Sequence, residues 1–560
     1  MASVLKYDEL TLSLSILTVA LFLGRKMMEP QSLAHPMLLG RQVEVAPVRK
    51  KGESAVYRNF GVGMGSPLPT RPLTRPCTVL DFMPDDVTEV RTLWNTQITN
   101  AQLKERIKAL SLGFLHTAGL QPRESNVLLL LDDSFEFLLT DLALASLSIP
   151  TLTLTSLPLL TPTIETYPPT AIVVAFSMLD ETLELIHEGE DHTVPVIIVV
   201  GDQNNISPEK SRKSGIKIHR WDDLVEGGVR EGAEDGSDGL DGVQAPAPND
   251  VFTVTFTGLE NGQPQGVQLT HVNVTAGVAA LQHIFPMSKA FSPDDTILSS
   301  HSLTTPFGRS MAYTALLKGC NFATLPSTSV LNPQPPTLDE LIRASENEQI
   351  PSPTVLVIST AVFVQVANAV LNQAQGNLLY SYARRHKQHA LNSGTTGKNT
   401  IWDRLVFDGA RKKALGRLGG SLDRVLITGD SLPSALLIPS RIALPIPTVR
   451  TCVHPVAAGP LLASHPLDLQ YFPDCETAAI TLEQTAHLGP PTCNVEIKLV
   501  GVDDTVVDDG KVDPVGQMYI RGPSLGQAVP PTSERAADGW VKAGLLSSVA
   551  TNGTFKAQAV

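Results

Sequence analysis

The stretch that most constrains this chain is residues 255–273, which read TFTGLENGQPQGVQLTHVN. A short apolar-alternating run precedes it and a helical pattern follows it, so we expect a strand, a loop, a second strand and a helix. Gly258, Gly262 and Gly266 lie in the predicted loop. Glycines allow a backbone to turn with positive φ and allow N–H groups to close around an anion. The pattern is therefore typical of a phosphate-binding loop.

The polar residues of this loop do not complete the pattern. A phosphate loop usually supplies a lysine for the phosphate charge and hydroxyl groups for metal or oxygen atoms. The lysine position after Pro264 holds Gln265, and Thr257 carries the only hydroxyl between residues 257 and 266. The loop thus has the form of a phosphate cradle without its positive charge. An ordinary tight turn is the alternative interpretation.

The same residues resemble the nucleotide loop of the AMP-binding, adenylate-forming superfamily. That loop reads Tyr-Thr-Ser-Gly-Ser/Thr-Thr-Gly-x-Pro-Lys-Gly-Val and is followed by His-x-Asn. The matching residues are Thr257, Gly262, Pro264, Gly266, Val267, His271 and Asn273. The sequence departs from the pattern at Gly258, Glu260 and Gln265, among others. A glutamate beside a triphosphate repels it, because like charges disfavour each other at close range.

Three further segments narrow the resemblance to the long-chain fatty acyl-CoA synthetase branch. They are residues 399–431, 487–502 and 516–523, the last reading GQMYIRGP. The resemblance implies an α/β fold with the adenylate-forming large N-terminal domain, made of doubly wound βαβ subdomains and a small β-rich subdomain. Apolar strands that alternate with helical patterns independently predict parallel βαβ units.

The resemblance also implies catalytic groups, and the sequence lacks them. The family's Tyr-Gly-x-Thr-Glu motif, which stacks adenine and holds magnesium, corresponds to residues 451–458, TCVHPVAA. Magnesium prefers hard oxygen ligands, but Ala458 ends this window and no carboxylate lies within it. We interpret His454 as a loop histidine. A histidine that the family places near residues 302–307 is replaced by Thr304 and Thr305.

The family's ribose-binding motif, Asp-Gly-Trp-x-x-Thr-Gly-Asp, survives only in its first half. Asp538 and Trp540 are present, but Ala543 replaces the threonine and Leu545 replaces the aspartate. A leucine cannot accept hydrogen bonds from ribose hydroxyls, so a buried ribose would lose its partners. In the family a mobile C-terminal lobe with a catalytic lysine follows the segment near Phe555, and we expect that lobe to be absent.

We therefore expect a catalytically degenerate relative that acts as a scaffold or binds a fatty-acyl ligand or nucleotide. No residue is assigned to catalysis or to a metal. The vestigial nucleotide loop comprises Thr257, Gly258, Gly262, Gln265 and Gly266. The alternative is an active long-chain fatty acid–CoA ligase, which would use ATP, magnesium and CoA; the cofactors stay unassigned otherwise. A truncated gene product is a third possibility.

Residues 10–24 carry no charge and are followed by Arg25 and Lys26. We interpret residues 1–26 as a membrane anchor with the body in the cytosol, because the positive flank stays on that side. A signal peptide and a buried helix are the alternatives. The resemblance implies the endoplasmic reticulum, which we favour, or a lipid droplet or peroxisome. Fatty acid or acyl-CoA is the expected small-molecule partner.

Composition and residue patterns also predict the domain boundaries and the kinds of partner. Residues 27–76 are predicted to form a linker and residues 77–560 the synthetase-like domain, with a disordered acidic insertion at 226–249. The net charge is −13 and no basic block contains interleaved aromatics, so nucleic acid is not an expected partner. Five cysteines without CxxC spacing predict neither disulfides nor a zinc site. The basic segment 380–389 is interpreted as a solvated helix face, with contact to acidic lipid as the alternative.

Overall fold

The structure is a computed structural model of the chain. It describes residues 8–28, 38, 40–72, 77–188, 196–201, 216–234, 242–347, 350–429, 431–469, 481–531 and 538–559. Two eight-stranded sheets and one six-stranded sheet form the body. This arrangement confirms the predicted α/β fold class, with two wound subdomains and a smaller β-rich one.

The first eight-stranded sheet contains most of the glycine-containing stretch 255–273. Its strand order is β20-β11-β10-β6-β5-β7-β8-β9, and the strands from β10 to β9 are parallel. Its strands are β5 (Val127–Leu130), β6 (Thr151–Leu154), β7 (Ala171–Ala175), β8 (Val196–Val200), β9 (Ile218–Arg220), β10 (Val251–Glu260), β11 (Gln263–Thr270) and β20 (Gln527–Val529). All four residues of β5 are buried, as expected for a parallel sheet that is covered on both faces.

The second eight-stranded sheet has the order β17-β16-β15-β14-β12-β13-β3-β4, and only its two edge strands run antiparallel to their neighbours. Its strands are β3 (Arg91–Leu93), β4 (Thr96–Ile98), β12 (Thr296–Ser299), β13 (Asn321–Thr324), β14 (Val355–Ser359), β15 (Arg424–Thr428), β16 (Thr448–Cys452) and β17 (Leu462–Ala463). Val355, Val357 and Ile358 have no exposed surface. The apolar run that contains them therefore belongs to the hydrophobic core.

Helices pack between and around these sheets. They are α1 (Glu9–Met28), α2 (Asn100–Leu112), α3 (Phe135–Ser146), α4 (Leu160–Thr166), α5 (Leu179–Glu188), α6 (Trp221–Glu234), α7 (His271–Gln282), α8 (Pro306–Lys318), α9 (Leu338–Glu346), α10 (Thr360–Gln375), α11 (Tyr380–Asn392), α12 (Asp408–Leu415), α13 (Leu418–Ser421), α14 (Ser434–Ala443) and α15 (Asp504–Asp509). Short 3-10 and π-helical turns, including Asp403–Phe407, connect several of them.

The six-stranded sheet is antiparallel and corrects the prediction of a linker. Its strands are β1 (Val43–Val45), β2 (Tyr57–Asn59), β18 (Glu496–Val500), β19 (Val515–Arg521), β21 (Val541–Val549) and β22 (Phe555–Ala559). The Ser54 N–H donates to the Leu499 carbonyl at 2.8 Å, and Arg58 pairs with Glu496. The linker interpretation was wrong for residues 43–59, because two three-residue strands give a weak local signal and their partners lie far away along the chain.

The predicted disordered insertion is also partly wrong, since α6 includes residues 226–234. Gly228 lies so close to α2 that a Cβ there would be 1.7 Å from the Ala109 carbonyl oxygen. Leu224 on the same helix has no exposed surface. The glycines that indicated disorder instead allow two helix backbones to approach closely. Residues 235–241 of the predicted insertion lie outside the described residues.

The uncharged N-terminal run forms most of α1. Nine of its apolar side chains, from Leu10 to Leu23, are each more than half exposed. In the part of the chain that the structure describes, no helix combines the length and the apolarity needed to cross a membrane.

Candidate nucleotide site

The predicted phosphate loop is a β-hairpin in the structure. Strands β10 and β11 pair up to Glu260 and Gln263, leaving only Asn261 and Gly262 as the turn. Both turn residues have positive φ, 52° and 79°, and Asn-Gly with positive φ at both positions is typical of a type I′ turn. The segment is therefore the tight turn that was the alternative interpretation of the sequence, because cross-strand pairing closes it around two residues.

This pairing changes the role of the other two glycines. Gly258 lies in β10 opposite Gln265, next to a β-bulge. Gly266 lies in β11, where a Cβ would be 2.8 Å from the Thr255 carbonyl oxygen and 2.9 Å from a ring carbon of Phe256. Close backbone approach thus accounts for Gly266 without a phosphate.

Beyond the hairpin, Thr257 borders a cavity of about 260 Å³. Residues from four separate segments line it: Thr155, Thr257, His301, Thr305, Pro306, Phe307, Val453, His454 and Pro455. The cavity therefore brings together Thr257 of the predicted nucleotide loop, the segment in which the resemblance places a histidine and part of the window in which it places the magnesium motif. Among these nine residues there is no lysine, arginine, aspartate or glutamate.

Two histidines face this cavity, and burial keeps both neutral at pH 7. Burial lowers the pKa of His301 to about 4 and also lowers the pKa of His454, whose hydrogen bond with the Ala543 backbone opposes the shift. The His454 Nδ1 atom accepts a hydrogen bond from the Val456 N–H at 3.2 Å. This contact agrees with the interpretation of His454 as a loop histidine.

His301 was missed in the sequence, since it lies just before the window in which the family's histidine was sought. Its Nε2 atom is 2.6 Å from the Thr428 hydroxyl, and its ring packs edge-on against Phe307 at 4.9 Å between ring centres. The side chain joins β15 to the start of α8. The apolar run before the window gave no indication that this histidine turns towards the cavity.

Ala458, which ends the window in which the resemblance places the magnesium carboxylate, is completely buried. A Cβ at Gly277 of helix α7 would be 2.4 Å from the Ala458 carbonyl oxygen. Helix α7 therefore packs directly against this backbone.

The retained His-x-Asn residues hold the hairpin to its surroundings. Asn273 and Thr270 form a reciprocal capping box at the start of α7, and the Asn273 Nδ2 atom donates to the carbonyls of Pro523 and Leu525 at 2.8 and 3.0 Å. His271 is buried beside Phe252, and burial lowers its pKa to about 4. Both residues have structural partners that do not involve a ligand.

With this geometry in place, comparison with known proteins decides the family. The model of the AMP-binding enzyme family matches residues 85–528, most of the chain. The chain belongs to the AMP-binding enzyme family. The resemblance stated from the sequence is thereby confirmed.

Within this family the similar curated proteins are long-chain acyl-CoA synthetases. Long-chain-fatty-acid–CoA ligase 1 of Homo sapiens is 24% identical over 67% of this chain and 50% of its own length. Fatty acyl-CoA synthetase A of Dictyostelium discoideum is 25% identical over 56% of this chain and 43% of its own length. The chain thus spans about half the length of the curated relatives it matches.

Solved structures show the same fold. A long-chain-fatty-acid–CoA ligase from Archaeoglobus fulgidus superposes with a TM-score of 0.57 at 13% identity, covering 89% of this chain and 86% of that one. The amide bond synthetase McbA from Marinactinospora thermotolerans gives a TM-score of 0.57 at 18% identity, covering 86% and 78%. At these identities the likeness concerns the fold alone.

Trp540, which belongs to the half of the ribose motif that this sequence keeps, contacts two cationic side chains. The ring of Trp540 is 4.9 Å from the Lys498 ammonium and 4.7 Å from the Arg521 guanidinium. The Arg521 Nε donates to Glu496 at 2.7 Å. Trp540 therefore connects β18, β19 and β21, and its presence needs no bound ribose.

The altered half of that motif lies on β21. Ala543 is buried and its backbone hydrogen-bonds to the His454 ring, which borders the cavity. Leu545 pairs with Ala559 of β22 and is half-buried. No group of three or more His, Cys, Asp or Glu residues that would suit a metal ion occurs in the described ranges.

Proposed function

We propose that this protein is a catalytically degenerate long-chain acyl-CoA synthetase-like protein, which keeps the family fold without forming acyl-adenylates. The observation that carries the proposal is the 260 Å³ cavity, whose lining residues are all uncharged at neutral pH. Enzymes that act on phosphates depend on cations placed where negative charge develops. The lining, with no such cation and no magnesium carboxylate, does not fit a magnesium–nucleotide complex.

The hairpin supports the same proposal. A phosphate cradle needs backbone N–H groups that are free to turn towards the anion. In this chain the segment between Gly258 and Gln265 is closed by cross-strand pairing. Gln265 adds no charge, and Glu260 near the turn adds a negative one. Binding of a triphosphate would require the hairpin to open and a glutamate to lie near the phosphates.

In place of catalysis, we propose that the protein acts as a scaffold or binds fatty acid or acyl-CoA. A second cavity, of about 410 Å³, lies between the end of α7 and the N-terminal strands. Phe60, Val62, Ala280, Ile284 and Pro491 contribute apolar surface to it. Ligand pockets commonly measure 300–1,000 Å³ and are mostly apolar, so this cavity is the acyl site that we would test.

We also propose a location at an intracellular membrane, the endoplasmic reticulum being the expected one, with α1 in contact with the lipid. The exposed apolar side chains of α1 support this assignment. Separation of cell membranes by density, with washing at high salt and at alkaline pH, tests it. Recovery of the full chain in the soluble fraction would contradict it.

An active long-chain fatty acid–CoA ligase is the second candidate. It is favoured by the names of the curated relatives, which are ligases and synthetases of long-chain acyl-CoA. The two candidates differ in whether the protein binds magnesium–ATP and releases pyrophosphate.

The experiment is calorimetric titration of the full chain, in detergent, with magnesium–ATP, with and without a long-chain fatty acid. Human long-chain-fatty-acid–CoA ligase 1 serves as the positive control. The proposal predicts no saturable heat at millimolar ATP and no fatty-acid-dependent release of pyrophosphate. Saturable ATP binding together with pyrophosphate release would overturn it in favour of the ligase.

A variant at position 265 tests whether ATP binding is limited by the phosphate-loop cation alone. Gln265→Lys restores the missing phosphate-loop cation at a half-buried position of β11. If the cavity has lost its nucleotide site through several changes, this variant alone leaves ATP binding undetectable. A large gain in ATP affinity from this single change would mean that the rest of the site is intact.

A further inference from the structure

The exposed surface around the start of α11 and the turn Asp403–Phe407 carries several large apolar side chains. Leu378, Tyr382, Ile401 and Leu405 on this surface are each more than half exposed. The Asn377 Nδ2 atom donates to the Leu405 carbonyl at 3.0 Å, which brings the two segments together. We name this surface the 377–412 face. Large apolar side chains grouped in this way commonly indicate an interaction site.

The apolar residues share this face with cations. On α11, Tyr382, Arg385 and His389 follow helical spacing on the exposed side, while Ala383, Lys387 and Leu391 are buried on the other. The His386 ring lies 5.9 Å from the ring of Trp402, which keeps the neighbouring turn beside the helix. The exposed cations of the surface are Arg384, Arg385, Arg404 and Lys412, and exposed Lys413 follows directly.

The carboxylates of this region do not neutralise the exposed cations. Residues 377–417 contain nine lysines and arginines but only two aspartates and no glutamate. Asp403 is buried and pairs with Lys387 at 2.6 Å and with Arg411 at 2.8 Å. Asp408 also pairs with Arg411, at 2.8 Å. The exposed arginines and lysines therefore keep their charge for an external partner.

The charge of this region is opposite to that of the whole protein. The chain has a formal net charge of −13, whereas residues 377–417 have a net charge of +7. A basic area on an acidic protein attracts an anionic surface and orients the protein towards it. Apolar side chains beside these cations would enter the boundary between headgroups and acyl chains.

We propose that the 377–412 face docks on the surface of a bilayer that contains anionic lipid. The arginines and lysines contact the lipid phosphates, and Leu378, Tyr382, Ile401 and Leu405 insert at the headgroup level. Charge complementarity selects this occupant, because anionic bilayers attract clustered basic residues and because tyrosine and leucine suit the interface. The proposal does not depend on whether the protein still binds ATP.

The experiment is amide hydrogen exchange on the full chain with vesicles of phosphatidylcholine alone or mixed with phosphatidylserine. We expect slower exchange in residues 377–392 and 401–407 only with the mixed vesicles. High salt should reverse this protection, since screening shortens the reach of the charges to about 3 Å at 1 M. Exchange in α1 is followed separately, so that lipid contact there is not counted.

Two variants and a matched control complete the test. Arg384→Gln with Arg385→Gln should lower partitioning onto mixed vesicles by about 25-fold, from the usual contribution of each basic residue near an anionic surface. Leu378→Ser with Leu405→Ser should reduce the protection while leaving its salt dependence. The control is Lys50→Gln with Lys51→Gln, an adjacent exposed pair in the connection between β1 and β2, near exposed Val48.

Three outcomes would overturn the proposal. Protection that is equal on both kinds of vesicle would exclude recognition of anionic lipid. A control variant that loses as much binding as the arginine variant would mean a general charge effect. Protection of the 377–412 face by a second copy of the chain, without vesicles and increasing with protein concentration, would assign the face to self-association. Circular dichroism of each variant confirms that it is folded.

Discussion

Replacement of Trp540 by alanine tests whether the retained half of the ribose motif is structural. The ring is 4% exposed and lies between Lys498 and Arg521, at 4.9 and 4.7 Å. Truncation of a buried tryptophan to alanine costs about 3–5 kcal/mol, and each lost cation–π contact adds about 0.5–1 kcal/mol. Trp540→Ala should therefore lower the free energy of unfolding by about 4–7 kcal/mol.

The assay is urea denaturation followed by circular dichroism, with the change in free energy taken from the shift of the midpoint. Trp540→Phe keeps an aromatic face between the two cations and should cost about 1–2 kcal/mol. Trp402→Ala, which removes a partly exposed ring, is the control for loss of a tryptophan. A loss below about 1 kcal/mol for Trp540→Ala, or an equal loss for Trp402→Ala, would refute the structural role.

Two further predictions concern the hairpin and a partly buried carboxyl group. Gly262→Ala should destabilise the protein by about 1 kcal/mol because its φ is +79°, whereas Gly258→Ala, with open space around its Cβ, should change stability by less than about 0.5 kcal/mol; thermal melting compares the two. Burial raises the pKa of Asp133 to about 6, above its unfolded value of about 3.9, so the native state binds an extra proton between these values. The contribution of Asp133 to stability should thus fall by about 2–3 kcal/mol as the pH rises from about 4 to about 6, and Asp133→Asn should remove this slope from the urea midpoints. An unchanged slope in the variant would contradict the assignment.

The long segments with a strong local pattern were predicted well. The helix predicted after residues 255–273 is present as α7, and the predicted parallel βαβ units form the two eight-stranded sheets. The motifs of the family also identified the fold. Some of their glycines are required because the backbone packs too closely for a Cβ, so these positions can be recognised in the sequence. Gly266 and Gly489 are examples, since a Cβ at either position would lie within 3 Å of a backbone carbonyl oxygen.

The errors came from segments whose conformation depends on distant partners. The composition of the segment around Gly228 indicated disorder, but α2 packs against this residue. The short strands β1 and β2 join a sheet whose other members lie beyond residue 496. His301 belongs to the cavity only because Thr428 and Phe307 hold it there. The local sequence pattern predicts none of these contacts.

The sequence alone determined the family and the α/β class, since residue identity and motif order suffice for these conclusions, and it predicts uncharged residues at Gln265, Ala458 and Leu545 where the resemblance places charged groups. The tertiary structure decided what the remaining motif residues do. Closure of the hairpin, the uncharged lining of the cavity and the position of Trp540 between two cations arise from contacts between residues far apart in the chain. Such contacts depend on the packing of whole sheets and helices, which a local pattern does not encode.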